Sequence, residues 1–309
     1  MAGGIIMFEE YIGQSQPKAL LAPMIENALK NGCCLPPQGV LAPSGMGKTQ
    51  VARAIADAIG VQLLTVYCTG KKGEDVVSNV CSAPAHNVVL LDEIHALKQG
   101  DQDILLPLLD ALKRPFDENT SIDLSGEQVK VSPVSLLWAT NRPDQVLAAI
   151  KTRSLIHRLE PYTLADMELM VYLFARKQGR VVLGKAAKEL ALASQCNPRA
   201  LDSLMDALFR TLPTATTPVN SHNVVAYLEK LRGFKCGLSS QQQQYIKKLA
   251  SNPTGLKLEH LVRSLGCTSA KELEENVEFW LLESGLVQTS SAGRTLTKKG
   301  INIAAQLED

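Results

Sequence analysis

The eight residues APSGMGKT, positions 42–49, follow the apolar pair Val40 and Leu41 and run directly into QVARAIADAIG. Strand, tight loop and helix is the reading of that order. Gly45 and Gly47 free the backbone to curl, so that successive N–H groups turn inward while the new helix adds its positive N-terminal end. The result is a cradle for phosphate, built from Pro43, Ser44, Gly45, Met46, Gly47, Lys48, Thr49 and Gln50. Lys48 would reach the outer phosphates as a point charge, and the Thr49 hydroxyl is placed to hold a magnesium ion. The pattern GxxxxGK[ST] is met except at its first position, where Ala42 replaces glycine and requires a negative φ. The plainer alternative is a Gly-rich turn without a ligand, and the strand and helix flanking the loop weigh against it.

A second signal lies downstream in NVVLLDEIHAL, where the apolar run 88–91 stops at Asp92 and Glu93. Four consecutive apolar residues fit a central parallel strand, and ligands of open α/β sheets sit at the carboxyl ends of such strands. An acidic pair after a strand is ordinarily just the start of a loop. Coming after a phosphate loop, Asp92 is expected to bind the magnesium and Glu93 to polarise the attacking water. A third strand, 135–139, ends at Thr140 and Asn141, and a polar side chain at that tip can sit beside the terminal phosphate. Farther on, Arg153 follows a short helix and is a candidate to act across a subunit boundary, while Arg158 is read as the start of the next element.

Composition bounds the rest. A chain of 309 residues suits two or three domains, and 45% hydrophobic with 20% charged residues reads as soluble and globular. No apolar run approaches a membrane span, and MAGGIIMFEEY lacks the positive charges of a leader, so a cytoplasmic protein with no membrane partner is expected. Seven scattered cysteines, never spaced CxxC, indicate neither a disulfide framework nor a zinc site. A net charge of +1 excludes a globally basic nucleic-acid binder and leaves only local clusters.

Before the loop, an extended entry leads to an amphipathic helix with apolar positions Leu20, Leu21, Met24, Ile25 and Leu29. Phe8, Tyr11 and Ile12 could sandwich an adenine ring or be ordinary core. From Thr163 to Leu231 the pattern is wholly helical, a small lid, in which Pro198 opens a helix and sets Arg199 in its first turn. A cation there opposes the helix dipole, which suggests a nearby anion, although a solvated arginine would look the same. Beyond Gly237, three helices and two short strands read as a winged helix. Its third helix carries Glu272, Glu274, Glu275 and Glu278, which DNA phosphates would repel, so the hairpin, read as carrying Arg294, Lys298 and Lys299, is the candidate DNA-contacting element. A pure protein-docking module is the competing reading. The run Gln241 to Gln244 is expected on a solvated helix face.

FEEYIGQ, APSGMGKT, LLDEIHAL, WATN, TRSLIHRLEPY, NPRAL and GLVQTSSAGRTLTKKG occur in the order and approximate spacing of the RuvB family, which nearly the whole chain resembles. These are AAA+ motors of bacterial Holliday-junction branch migration. The resemblance implies adenine contacts from Tyr11 and Ile12, phosphate and magnesium contacts from Lys48 and Thr49, and Walker B roles for Asp92 and Glu93. It further implies Asn141 as first sensor, Arg153 as a finger supplied to a neighbour, and Arg199 as second sensor.

Departures from that family are Ala42, Ser154 in place of a phenylalanine after the finger, and Ala292 where the wing turn should be basic. The segment PFDENTSIDLSGEQVK, with Phe116, Ile122, Leu124 and Val129 as its large apolar residues, is more polar than the hairpin by which the family grips its junction-binding partner. These differences mark a divergent member, of the sort a phage or mobile element would carry. The expected architecture is an α/β P-loop AAA+ domain over 1–161, an all-α lid over 162–235 and a winged helix over 236–309. ATP and Mg2+ are the expected cofactors, branched or double-stranded DNA the substrate, and a homo-hexamer or other ring or arc the assembly. The leading function is a DNA motor. The alternative is an ATP-dependent switch, loader or adaptor that recruits another protein to DNA, and a small-molecule kinase fits the lid and the DEIH carboxylates less well.

Overall fold

The computed structural model describes residue 8 and residues 11–114, 117, 119–212, 217–291 and 293–308, with the backbone alone at 231, 232, 271, 275, 276 and 308. Phe116 and Ala292 fall outside this set, as does the side chain of Glu275. The described chain packs as two units, one reaching residue 169 and including 197–199, the other holding 170–196 and everything from 200 onward.

The first unit is an α/β layer. Helix α1 (Ser15–Asn31) leads to β1 (Gln38–Leu41), α2 (Lys48–Ile59), β2 (Leu63–Tyr67), α3 (Gly73–Cys81) and β3 (Val88–Asp92). After α4 (Gln99–Asp103) and α5 (Leu106–Lys113) comes an antiparallel hairpin, β4 (Ser121–Leu124) and β5 (Glu127–Lys130). The unit is completed by β6 (Ser135–Thr140), α6 (Ala148–Thr152), β7 (Leu155–Arg158) and the first turns of α7 (Leu164–Lys177). Five parallel strands stand in the order β2-β3-β6-β1-β7. Every residue of β1 and β6 is buried, as a parallel strand covered on both faces requires. Leu41 pairs with Thr140 and Leu91 with Trp138, so β1, β6 and β3 end side by side. Gly39 is needed inside β1 because the Trp138 indole and the Ile156 side chain fill the space a Cβ would occupy.

Two readings change here. Helix α1 buries Pro17, Leu21, Ile25 and Ala28, whereas Leu20 and Leu29 face solvent, so the stripe steps by four, four and three residues and differs from the expected set. Arg158 closes β7 instead of opening an element.

The second unit continues α7 and adds α8 (Gly184–Ala193), most of α9 (Pro198–Thr211) and α10 (Ser221–Arg232). On α9 the residues Leu201, Leu204, Met205, Leu208 and Phe209 form one buried stripe. Next are α11 (Ser240–Ala250), α12 (Leu258–Ser264) and a third helix in three pieces: α13 (Ala270–Leu273), a π turn over Glu274–Glu278, and α14 (Phe279–Glu283). Strands β8 (Val287–Ser290) and β9 (Gly293–Leu296) pair antiparallel, and a closing helix α15 (Lys298–Glu308), absent from the sequence reading, packs against the same core. The glutamine run is not solvated throughout: Gln242 is buried, completing a capping box with Ser239 and exchanging amide hydrogen bonds of 2.5 and 2.8 Å with Gln195.

Candidate active site

The loop after β1 has the conformation its glycines suggest. Gly45 and Gly47 hold φ of 81° and 86°, which only glycine adopts freely. A Cβ at Gly45 would collide with the Asn197 carboxamide, and one at Gly47 would lie 2.9 Å from the Tyr162 hydroxyl. Ala42 avoids positive φ, which is why alanine is tolerated there, and its N–H donates to the Thr140 carbonyl at 3.3 Å. Helix α2 begins at Lys48 directly behind left-handed Gly47, leaving first-turn N–H groups of Lys48 and Thr49 at the loop. Lys48 is largely buried, and its ammonium donates to the carbonyls of Ala42 and Pro43 at 3.1 and 3.2 Å. Burial lowers its pKa, the nearby carboxylates of Glu93 and Asp92 pull it back up, and Arg199 pushes it down again.

Those influences show which groups converge. Asp92 closes β3 and accepts the N–H of Glu93 at 3.0 Å, while Glu93 sits at a left-handed φ of 55°. Arg199 donates to the Ser44 hydroxyl at 3.3 Å, and Asn197 accepts the Arg199 N–H at 3.0 Å. Asn141, just past β6, keeps its side-chain oxygen buried and, among the described residues, without a hydrogen-bond partner. Lys48, Asp92, Glu93 and Arg199 are therefore assembled around the loop, and Asn141 stands at the neighbouring strand end. A bound nucleotide phosphate fits this set: glycine-lined backbone, a lysine and an arginine, with Thr49 and Asp92 offering oxygen ligands for a hard divalent cation. Arg153 is elsewhere. Its Nε donates to Asp110 on α5 at 2.9 Å and its Nη1 to the Ala149 carbonyl at 3.2 Å. Ser154 beside it accepts the Trp138 indole N–H at 2.8 Å, so the indole, with Gly39 beneath it, explains the small residue at that place.

Two segments quoted for their order in the chain turn out to grip each other. Gln14 exchanges hydrogen bonds of 2.7 and 2.9 Å with the Glu160 backbone, and the ring of Tyr162 lies 3.1 Å from where a Gly13 Cβ would stand. That clamp holds Tyr162 against Gly47. Tyr11 is buried next to Tyr162, and burial, then Tyr162, raise its phenol pKa; its hydroxyl meets no partner in hydrogen-bond geometry among the described residues. Ile12 is half-buried beside it in sequence. Gln14 and Tyr162 were missed as site residues, although YIGQ and RLEPY were the signals that could have exposed them.

The wing differs from expectation. Arg294 is turned inward: its Nε is 2.8 Å from Glu278, its Nη2 3.3 Å from Glu274, and Glu278 also accepts the Tyr245 hydroxyl. The guanidinium is thus engaged within the fold, beside a Glu278 that is 1% exposed. Lys298 and Lys299 belong to the first turn of α15 and not to the hairpin; both are exposed, Lys299 donating to the Ser284 carbonyl at 2.8 Å. All seven cysteines are free thiols, and no described helix is long and apolar enough to cross a membrane.

Residues 40–162 match the model of the ATPase family associated with various cellular activities (AAA), and residues 235–304 match the RuvB C-terminal winged helix domain. A RuvB subunit of the Holliday junction branch migration complex from Prochlorococcus marinus (strain NATL2A) is 25% identical over 94% of this chain and 83% of its own length. Among solved structures, a RuvB mutant of Thermotoga maritima superposes with a TM-score of 0.78 at 24% identity, covering 96% of this chain and 97% of that one. The T. maritima structure described as a Holliday junction branch migration motor gives 0.75 at 24% identity, over 96% and 95%. At that identity the superpositions establish the fold. The chain thus carries an AAA ATPase region followed by a RuvB-type winged helix, and it is similar to a RuvB subunit along almost its entire length.

Proposed function

We propose that the protein is an ATP-driven motor on branched or double-stranded DNA, working as a ring or arc of identical subunits in the cytoplasm. The observation that carries the reading is the gathering of Lys48, Asp92, Glu93 and Arg199 around the glycine loop, with Asn141 at the adjacent strand end. In this reading the loop N–H groups, Lys48 and Arg199 bind phosphate oxygens. Thr49 and Asp92 hold Mg2+, which supplies charge neutralisation on the transferred phosphoryl group. Glu93 orients and polarises the attacking water, Asn141 senses the terminal phosphate, and Tyr11, Ile12 and Tyr162 flank the base. Arg153, away from its own loop, serves the neighbouring subunit. The chain divides functionally into nucleotide domain, lid and winged helix, near residues 161 and 235. DNA contact rests on exposed Lys298 and Lys299 rather than on Arg294.

A second reading, the ATP-dependent switch or adaptor, draws on the β4–β5 hairpin. Ile122 is buried there and Leu124 and Val129 pack on the same core, so Ser121, Asp123, Glu127, Gln128 and Lys130 make up its exposed face. A protein partner meeting that face would do so through polar contacts. The experiment is branch-point movement on a synthetic four-way junction with ATP. Wild type should move it, Lys48→Ala should lose nucleotide binding, and Glu93→Gln should bind ATP yet move nothing. Equal ATP affinity in wild type and Lys48→Ala removes the cradle assignment. Nucleotide-dependent partner capture without junction movement selects the switch.

A further inference from the structure

The residue after the acidic pair's isoleucine has no role in the reading above, yet it touches the catalytic centre. Glu93 stands in a left-handed conformation that side chains disfavour. Ile94, 1% exposed, anchors the single 3-10 turn Ile94–Ala96 in the core, and His95 rises from that turn. The His95 Nε2 lies 3.2 Å from the Glu93 carboxylate, and its Nδ1 lies 2.9 Å from the Thr140 hydroxyl. The Thr140 oxygen also accepts the Arg142 N–H at 2.9 Å. The arrangement that uses each proton once has Arg142 donating to Thr140, Thr140 donating to Nδ1, and Nε2–H donating to Glu93. The imidazole is well enclosed, its side chain 9% exposed against 37% for that of Glu93. One hydrogen-bonded line thus runs from the carboxylate at the tip of β3 to the residue next to Asn141 at the tip of β6.

We infer that His95 is a positioning residue for Glu93, fixing the carboxylate through Nε2 while Thr140 fixes the imidazole through Nδ1. This rests on the reading of Glu93 as the group that polarises water. A carboxylate on a short strained turn has several rotamers, and only one faces the water in line with the phosphoryl group. Holding that rotamer from strand β6 ties water activation to the strand tip that carries Asn141. The device acts on turnover and leaves nucleotide binding alone, because neither His95 nor Thr140 belongs to the cradle.

The test is ATP hydrolysis by the assembled full chain, with ATP affinity measured separately. His95→Ala should lower kcat by roughly ten- to a hundredfold, part of the 10²–10⁴ that a positioned base supplies, with KM and ATP affinity unchanged. His95→Gln keeps an N–H near the Nε2 position and should recover part of the loss. Thr140→Val, which keeps the shape and removes the hydroxyl, should fall between wild type and His95→Ala. In a Glu93→Gln background, followed by single turnover, adding His95→Ala should change nothing further, since two residues acting as one unit are not additive. Wild-type kcat in His95→Ala, or an equal fold-loss in both backgrounds, overturns the inference. If His95→Ala does not fold, His95→Gln and Thr140→Val decide: wild-type kcat in both overturns it. Failure of the underlying reading looks different, namely Glu93→Gln itself hydrolysing ATP at the wild-type rate.

Discussion

The loop end of the first unit and the wing end of the second treat their charges in opposite ways. At the loop, Lys48 donates to carbonyl oxygens of its own loop, and the Asn141 oxygen is buried without a hydrogen-bond partner among the described residues. At the wing, Arg294 is matched by Glu278 and Glu274, and Glu278 is matched again by Tyr245. Buried polar groups are normally satisfied within the fold, so a cluster that leaves them open is organised for something that arrives, whereas a closed cluster is organised for itself. A cation in a suggestive place is thus no contact until its partners are counted.

The largest effect that tests this contrast is expected at Arg153, whose side chain is 31% exposed and only lightly tied by Asp110. Arg153→Ala should keep ATP binding and lose hydrolysis by roughly three to five orders of magnitude, the usual worth of an arginine finger. Mixing it with Lys48→Ala subunits should restore part of the activity, because some interfaces then join an intact loop to an intact finger. Inactive mixtures with proven co-assembly would remove the trans role or require strict coupling around the ring.

Next comes the wing. Arg294→Ala strands the buried Glu278 carboxylate and should cost about 3–5 kcal/mol of stability, seen as a lower melting temperature, with little change in the salt dependence of DNA binding. Lys298→Ala should do the reverse: near-native stability and a salt slope smaller by about 0.9, since one phosphate contact is lost. A large change of salt slope in a folded Arg294→Ala protein would dissolve the contrast.

The smallest effect concerns His157, buried in β7 with Nε2 2.7 Å from the Gln38 side-chain oxygen. Burial lowers its pKa below the ordinary 6.5. As pH falls below that value, the unfolded chain gains a proton the folded chain refuses, so stability is kept above it and declines below, by at most about 1.4 kcal/mol per pH unit. Denaturant melts of His157→Gln should show a flatter acid limb, and an identical limb would assign the loss to other groups.

How much of this the sequence disclosed follows from the range of the interactions. The loop of 42–49 and the apolar strand before Asp92 were legible because backbone curvature and strand burial are written in neighbouring residues. The stripe of α1 was only half legible, since the layer beneath chooses among several apolar positions. The partners of Gln242, Arg294 and Gln14 were not legible. Each lies between 16 and 146 positions away, and no local pattern announces such a pairing. Lys298 and Lys299 were placed on a hairpin because the closing helix α15 was not foreseen.

Trp138 carries a consequence for observing the protein at work. The chain has two tryptophans, and packing assigns one to each unit, Trp138 to the sheet and Trp280 to the winged helix. Trp138 lies wholly inside β6, three residues before Asn141, and its indole is bonded to the serine that follows Arg153. Emission from an indole depends on its local polarity and hydrogen bonding. The strand between sensor and finger therefore contains an optical probe of its own, and substituting Trp280 alone leaves a protein whose fluorescence reports from that strand.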